Sequence, residues 1–251
     1  MNGGAVVVTG AGSGIGRAVA LACAERDWPV ALIDTQEEGL KALSAELRGV
    51  THSTRVADVS ATAALATAID EAEAELGKIA GLVTCAGVHG LARIGEISLD
   101  EWRAMLDINA LGTLNAVQAT LPALRRGGGG AMVLVSSLSG VRGHPAVGEI
   151  RQGGAHYAAS KGAVIAFAKS VALEVAAEGI RVNCVAPAMV DTPLVRRSYT
   201  DEQISSYERT VPLGRIGQAA DIAGAVEFLL SDSAAFITGQ VINVCGGVSL
   251  V

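Results

Sequence analysis

The stretch that decides the fold is Ala5-Val6-Val7-Val8-Thr9-Gly10-Ala11-Gly12-Ser13-Gly14-Ile15-Gly16, close to the start of the sequence. The apolar run Ala5–Thr9 predicts a buried strand, and Ser13–Arg26 predicts a helix directly after it. Glycines at this junction let the backbone turn tightly, and the helix N-terminus offers free N–H groups and a positive dipole end to a phosphate. The pattern predicts a dinucleotide site at Gly10, Ser13, Gly14, Ile15 and Gly16. A structural glycine turn or another nucleotide ligand is the alternative.

Strand-like and helix-like segments alternate along the rest of the chain. Further apolar runs predict strands at Pro29–Ile33, Thr51–Ala57, Gly81–Thr84, Ala131–Ser136, Ile180–Val185 and Gln240–Val244. Segments rich in Ala and Leu predict helices at Gln36–Arg48, Ala61–Leu76, Leu99–Leu124, Ala155–Glu178 and Asp221–Leu230. The strands are continuously apolar, which is typical of parallel strands covered on both faces. The sequence therefore predicts a single α/β domain with a doubly wound parallel sheet.

Composition excludes several classes of protein. The 251 residues are 50% apolar and 18% charged, which excludes a disordered chain, and the net charge of −6 argues against a nucleic-acid partner. There is no uninterrupted apolar run of about 18 residues, so no membrane partner is expected. The N-terminal residues lack the pattern of a secretory signal, and the four widely spaced cysteines predict free thiols and no metal site. We therefore expect a cytoplasmic protein.

Asp34 ends the second predicted strand, 18 residues beyond Gly16. A carboxylate at this point accepts hydrogen bonds from ribose hydroxyls and repels a 2′-phosphate. Thr35 and Gln36 follow it where a basic residue would favour a phosphate, so the sequence favours NAD as the cofactor over NADP. Arg17 is the one basic residue that could still turn toward a phosphate. Asp34 could also act as the N-cap of the helix that follows.

Tyr157 and Lys161 are four positions apart in a predicted helix and therefore share one face. A cation beside a phenol favours the phenolate and lowers the phenol pKa from its free value of about 10. The spacing predicts an acid–base pair, although an ordinary exposed pair has the same spacing.

Together, the glycine loop, Asp34 and the Tyr157/Lys161 pair resemble the short-chain dehydrogenase/reductase family over essentially the whole chain. The resemblance implies a Rossmann fold whose seven-stranded sheet carries three helices on each face. It also implies an NAD(P)-dependent oxidoreductase that interconverts a secondary alcohol and a ketone, assembled as a homotetramer. Two further motifs complete a catalytic tetrad of Asn109, Ser137, Tyr157 and Lys161: they are Asp107–Gly112 and Val135–Gly140.

The resemblance assigns a role to each member of this tetrad. Tyr157 accepts the proton of the alcohol as hydride moves to the nicotinamide, and Ser137 binds the same oxygen. Lys161 keeps the phenol acidic and holds the nicotinamide ribose. The backbone carbonyl of Asn109 holds a water in a proton relay with Lys161.

Further cofactor contacts are implied by the same resemblance, at Asp58, Val59, Ala86, Gly87, Pro187, Val190 and Thr192, besides Tyr157 and Lys161. Two departures from the family pattern carry expectations of their own. Thr84 and Cys85 replace two asparagines, which should alter bonding at the sheet centre more than catalysis. Ala188 replaces a glycine and is expected to tighten its turn, since alanine disfavours positive φ.

The substrate pocket is expected among irregular segments. Ser137 and Tyr157 are 20 residues apart, longer than is usual in the family, which predicts an inserted loop at about 143–154, either at the pocket rim or on the surface. The irregular stretch at 189–213 predicts a lid. The predicted substrate contacts are His89, Leu138, Ser139, His144 and Met189, a set that favours a neutral secondary or small cyclic alcohol. The alternatives are an NADPH-dependent carbonyl or 3-oxoacyl reductase and, more remotely, a non-catalytic dinucleotide-sensing protein.

Overall fold

The strands form two sheets in the computed structural model, which describes residues 3–144 and 153–250. In chain order they are β1 (Ala5–Thr9), β2 (Val30–Asp34), β3 (His52–Val56), β4 (Ile79–Thr84), β5 (Gly130–Val135), β6 (Ile180–Pro187), β7 (Val190–Asp191), β8 (Gly217–Gln218) and β9 (Val241–Val244). The large sheet is parallel, with the order β3-β2-β1-β4-β5-β6-β9, while β7 and β8 pair separately. The predicted seven-stranded Rossmann sheet is confirmed. Its order reverses beside β1, where such folds place ligands beyond the carboxyl ends of the strands.

Helices cover both faces of this sheet. They are α1 (Gly14–Glu25), α2 (Glu37–Glu46), α3 (Thr62–Leu76), α4 (Leu99–Leu106), α5 (Gly112–Arg126), α6 (Leu138–Arg142), α7 (Ala155–Val175), α8 (Pro193–Ser198), α9 (Asp201–Glu208) and α10 (Ala219–Leu230). One buried core joins the sheet to α3, α5 and α7, and a second core joins its other face to α1, α2 and α10. This arrangement explains why the strands are continuously apolar. None of the described helices has the length and apolar character needed to cross a membrane.

The long helix predicted over Leu99–Leu124 is interrupted in its middle. Ser98 and Glu101 form a capping box that begins α4, but Asp107–Leu111 then adopts a π-helical turn before α5 continues. Asn109 lies within this turn and is completely buried. Single π turns inside helices are frequent at functional sites, and the apolar periodicity of the segment gives no sign of one.

The segment from 189 to 213 folds into a small unit of its own. Two short helices, α8 and α9, form within this irregular stretch. Pro193 in the first turn of α8 and Thr192 as its N-cap are typical helix-start residues. Met189, Tyr199, Ile204, Tyr207, Val211 and Ile216 share a buried apolar cluster in this region. Most of the predicted inserted loop, residues 145–152, lies outside the described residues.

Candidate active site

A cleft of about 360 Å³ lies beyond the carboxyl ends of β1, β2 and β4, and we call it the glycine cleft. Most of the predicted cofactor contacts line it, namely Gly10, Ser13, Gly14, Ile15, Gly16, Asp34, Asp58, Val59, Ala86, Gly87 and Thr192. Pro187 and Val190 do not. Pro187 lines a neighbouring pocket, and Val190, which pairs with Gly217, turns its side chain into the core against α10. The contact predicted for Val190 is through its backbone, so the direction of its side chain does not test it, and the contacts of Pro187 and Val190 with the cofactor stay predictions.

The glycine turn fits a phosphate group. Gly10 has a φ of +69°, and a Cβ there would lie 2.5 Å from the backbone nitrogen of Ala86. A Cβ on Gly16 would lie 2.1 Å from the carbonyl oxygen of Gly10, so only glycine allows α1 to start this close to β1. Ser13, the N-cap of α1, makes no side-chain capping bond, so N–H groups at this helix start remain available to a ligand. Backbone N–H groups and a helix dipole at the cleft match a dinucleotide pyrophosphate.

Asp34 is held at the cleft by two backbone N–H groups. Its Oδ2 accepts a hydrogen bond from Gly12 N at 2.9 Å, and its Oδ1 accepts one from Gln36 N at 2.9 Å. The N-cap of α2 is Gln36, so the proposed capping role of Asp34 is wrong. A carboxylate has about four acceptor positions, which leaves capacity for ribose hydroxyls. Arg17 forms an ion pair with Glu46 and does not line the cleft.

Ser137, Tyr157 and Lys161 meet where β5 ends and α6 and α7 begin. Ser137 caps α6, where its Oγ accepts from Ser139 N at 3.1 Å, and it also hydrogen-bonds to Tyr157. Burial raises the pKa of Tyr157, and the hydrogen bond with Ser137 lowers it in part. Lys161 is buried, which lowers its pKa to about 8, and its Nζ donates to the Val135 carbonyl at 3.0 Å. The expected lowering of the Tyr157 pKa by Lys161 is therefore not observed: desolvation of the phenol dominates.

Asn109 clamps the loop after β4 against α7. Its Oδ1 accepts from Val88 N at 2.8 Å, while its Nδ2 donates to the Val88 carbonyl at 3.0 Å and to Ser160 Oγ at 2.9 Å. A Cβ on Gly87 would lie 3.0 Å from Asn109 Oδ1 and 3.4 Å from Lys161 Nζ, so Gly87 packs between these two side chains. The Asn109 carbonyl accepts a hydrogen bond from Thr113 Oγ1 at 2.8 Å. The predicted water relay through this carbonyl stays a prediction.

A second, smaller cavity of about 80 Å³ adjoins Ser137 and Tyr157, and we call it the tyrosine pocket. The five predicted substrate contacts, His89, Leu138, Ser139, His144 and Met189, all line it. Leu194, Val195, Tyr199 and Tyr207 line it as well. They belong to the segment predicted as a lid, although the sequence singled out none of them. The rarity of tyrosine could have pointed to Tyr199 and Tyr207, because the sequence has three tyrosines and all three line this pocket.

A polar cluster stands beside Tyr157 in this pocket. The Nε2 atoms of His89 and His144 are 3.2 Å apart, and the Tyr199 hydroxyl lies 3.5 Å and 3.3 Å from them. The His89 ring meets the Tyr157 ring edge-on, with 4.7 Å between centroids. Burial, then the nearby His144 and His156, lowers the pKa of His89 to about 4, so this ring is neutral at physiological pH.

Basic side chains near the tyrosine pocket have other partners or lie elsewhere. Arg196 forms a bidentate pair with Asp191 and also contacts Asp201. Arg197 lines the glycine cleft, and Arg151 lies outside the described residues. No lysine or arginine of the described chain lines the tyrosine pocket, so those residues provide no clamp for a phosphate or carboxylate.

The two departures from the family pattern have different outcomes. Thr9 and Thr84 are partners across β1 and β4, and both hydroxyls are buried without a hydrogen-bond partner, which agrees with altered bonding at the sheet centre. Ala188 shows no strain: its φ is not positive, and its N–H donates to the Val244 carbonyl at 3.1 Å. The expected tightening at Ala188 is therefore wrong.

The spacing of the four cysteines predicts free thiols and no metal site. All four cysteines are free, as the spacing predicted. Within residues 3–144 and 153–250, no group of three or more His, Cys, Asp and Glu residues is placed to hold a metal ion.

Comparison with known proteins gives matches along nearly the whole chain. A family model described as enoyl-(acyl carrier protein) reductase matches residues 10–249. The 3-oxoacyl-(acyl-carrier-protein) reductase of Escherichia coli is 35% identical over 245 residues, covering 98% of this chain and 97% of that protein. The D-threitol dehydrogenase of Mycolicibacterium smegmatis is 36% identical over 252 residues, covering 100% and 94%. A solved short-chain type dehydrogenase/reductase from Mycobacterium ulcerans superposes with a TM-score of 0.90 at 32% identity, covering 98% and 89%.

Proposed function

Because the chain belongs to the short-chain dehydrogenase/reductase family, we propose that it is an NAD-dependent oxidoreductase that interconverts a secondary alcohol and a ketone. The proposal rests on two adjacent cavities. Ser137 and Tyr157 line the tyrosine pocket, and this pocket adjoins the glycine cleft. A nicotinamide nucleotide bound in that cleft would supply the hydride acceptor or donor.

In this proposal the protein binds the reacting oxygen and moves its proton. The Ser137 hydroxyl and the Tyr157 phenol, already hydrogen-bonded to each other, hold the alcohol or ketone oxygen. The raised pKa keeps Tyr157 protonated at neutral pH, so it is ready to donate a proton to a ketone oxygen. In the oxidative direction Tyr157 must first lose this proton, and Lys161, one turn further along α7, would support that step as an ammonium. Asn109 positions the loop that carries Gly87 beside Lys161.

The choice of NAD rests on Asp34. Its carboxylate faces the cleft with acceptor capacity remaining, and a 2′-phosphate beside it would be repelled. Arg17, the residue that could have offset this repulsion, is paired with Glu46.

A second candidate is an NADPH-dependent 3-oxoacyl reductase, which the 35% identity to the Escherichia coli enzyme favours. Asp34 and the absence of a cationic clamp among the described residues of the tyrosine pocket argue against it. The non-catalytic alternative does not explain why Ser137, Tyr157, Lys161 and Asn109 occur together in this chain.

Assembly and location are part of the same proposal. We propose a homotetramer in the cytoplasm. Leu99 on α4, Leu111 beside α5 and Leu173 on α7 are 60%, 38% and 86% exposed, and exposed leucines on these helices suit a subunit interface.

The test follows the absorbance of the reduced nicotinamide with NAD and, separately, NADP over a panel of secondary alcohols, hydroxy acids, sugars and sterols. Wild type should turn over with NAD, and Tyr157→Phe should lose activity by roughly 10²–10⁴-fold while NADH binding survives. Tyr207→Phe, which removes a different hydroxyl from the same pocket, is the matched control. Turnover with NADP alone would reject the assignment of Asp34, and silence across the panel with intact NADH binding would favour the non-catalytic alternative.

A further inference from the structure

The polar cluster of the tyrosine pocket has no role in the proton transfer described above. His89, His144 and Tyr199 bring their polar atoms within 3.5 Å of one another. The rest of the pocket lining away from Ser137, Ser139 and Tyr157 is mainly apolar, with Leu138 and Met189 among its members. Three polar groups converging on one side of an apolar cavity are typical of a site that orients a ligand.

Hydrogen bonding fixes which atom of His89 is the acceptor. The Ser198 hydroxyl donates to the Leu194 carbonyl at 2.9 Å, so its oxygen is left to accept from His89 Nδ1 at 3.3 Å. A neutral imidazole has one N–H, and with the proton on Nδ1 the Nε2 atom carries a lone pair. This lone pair faces the Tyr199 hydroxyl across 3.5 Å, which is long for a hydrogen bond from a hydroxyl. His144 Nε2, which must then carry its own proton, lies 3.2 Å from His89 Nε2 and 3.3 Å from the Tyr199 oxygen. It can therefore donate to Tyr199 and leave the His89 lone pair to a ligand. The pair therefore offers one acceptor and one donor that a ligand could bridge.

A hydroxyl is the group that matches this pair, because it donates one hydrogen bond and accepts others. A ketone oxygen or an ether oxygen accepts only. The His89 ring contacts the Tyr157 ring directly, so a hydroxyl held here adjoins the oxygen that Tyr157 and Ser137 would bind. Two oxygens bound side by side in this way suit neighbouring carbons of one small molecule.

Volume and charge limit the ligand further. A cavity of about 80 Å³ has room for about five to eight water-sized groups, at roughly 10–15 Å³ for each. The described lining residues include no lysine or arginine to neutralise a phosphate or carboxylate. The described residues therefore favour a small, uncharged ligand.

From these contacts we infer that His89 and Tyr199, supported by His144, form a subsite for a second hydroxyl, so that the protein selects small vicinal diols and their α-hydroxy ketones over simple secondary alcohols. This inference rests on the proposed function for the site of reaction. The hydroxyl donates to His89 Nε2 and accepts from the Tyr199 hydroxyl, and Ser198 is a positioning residue that fixes the imidazole tautomer.

The experiment measures binding in a complex that cannot react, the protein saturated with NADH in the presence of an alcohol. Isothermal titration compares the stereoisomers of 2,3-butanediol with 2-butanol and with 3-methoxy-2-butanol. We expect the best diol isomer to bind about tenfold more tightly than 2-butanol, the effect of one well-placed hydrogen bond. The methoxy compound should lose most of this gain, because it cannot donate to His89.

Variants locate the effect. Tyr199→Phe and His89→Leu should each bring the diol and 2-butanol affinities to within about twofold of each other, whereas Tyr207→Phe should keep the tenfold ratio. Tyr199→Phe removes a single oxygen, and its melting temperature verifies folding. Equal affinities in wild type, no binding of any diol, or a ratio that survives both variants would overturn the subsite.

Turnover assays on the same compounds separate the two proposals. Tighter diol binding without turnover would leave the subsite standing and reject the oxidoreductase proposal. Turnover of 2-butanol and 2,3-butanediol with equal efficiency would support the oxidoreductase and reject the subsite.

Discussion

The glycine cleft and the tyrosine pocket are adjacent but are built in different ways. Most of the cleft is lined by residues at or just after the ends of β1, β2, β3 and β4, so these contacts lie next to the strands that position them. The tyrosine pocket combines the starts of α6 and α7 with residues of the 189–213 segment, which packs around its own apolar cluster. A site formed by strand ends depends on sheet register, whereas a site under a separately packed segment depends on contacts between residues far apart in sequence.

The largest effect is expected where the cleft is most tightly built. A Cβ at residue 16 would lie 2.1 Å from the Gly10 carbonyl oxygen, so Gly16→Ala must displace α1 from β1. We expect a loss of about 2–3 kcal/mol in the free energy of unfolding, together with weaker nucleotide binding. Urea denaturation and NADH titration measure both.

Gly224→Ala is the matched control for that variant. Gly224 is also helical, but no heavy atom lies within 4 Å of the position of its Cβ, and alanine is the better helix former. It should stabilise the protein by up to about 1 kcal/mol. Equal stability of the two variants would mean that the turn is not constrained by close packing.

This contrast also explains what the sequence could predict. The strands, the parallel sheet and the glycine turn follow from apolar runs and from local chemistry, and the positions of Asp34 and Ala86 follow from the ends of their strands. The π turn at Asn109 depends on bonds to Val88 and Ser160, which are distant in sequence. The side-chain direction of Val190 depends in the same way on its pairing with Gly217. The raised pKa of Tyr157 could not be anticipated from its spacing to Lys161, because burial of the phenol has the largest effect on this pKa.

The second prediction concerns His89 in the tyrosine pocket and the stability of the protein at acidic pH. The pKa of His89 falls from 6.5 to about 4 in the fold, so between these pH values the unfolded chain binds a proton that the native protein does not. Stability is therefore lost as the pH falls from about 6.5 to 4, by about 2 kcal/mol for this partly exposed residue. His89→Gln should flatten the dependence of unfolding free energy on pH in this window. Parallel wild-type and variant curves would show that His89 titrates normally in the fold.

A smaller effect tests the choice of nucleotide at the cleft. Asp34→Asn keeps the size of the side chain and removes its charge, so the ratio of NAD to NADP affinity should fall at least tenfold, or about 1.4 kcal/mol. Asp58→Asn, at another acidic position of the same cleft, should change the two affinities together. Fluorescence titration with NADH and NADPH gives both ratios. An unchanged ratio in Asp34→Asn would mean that the carboxylate does not face the ribose.

The smallest effect is expected at Arg17, whose role the sequence left open. Its pair with Glu46 is exposed on both sides, and such pairs contribute about 0–1 kcal/mol. Arg17→Gln should therefore leave the melting temperature nearly unchanged and NADPH affinity within about twofold, because the guanidinium is engaged away from the glycine cleft. A large loss of NADPH affinity alone would show that Arg17 leaves Glu46 for a 2′-phosphate. In that case the repulsion by Asp34 would be offset, and nucleotide selection in the cleft would depend on a side chain that exchanges Glu46 for the phosphate.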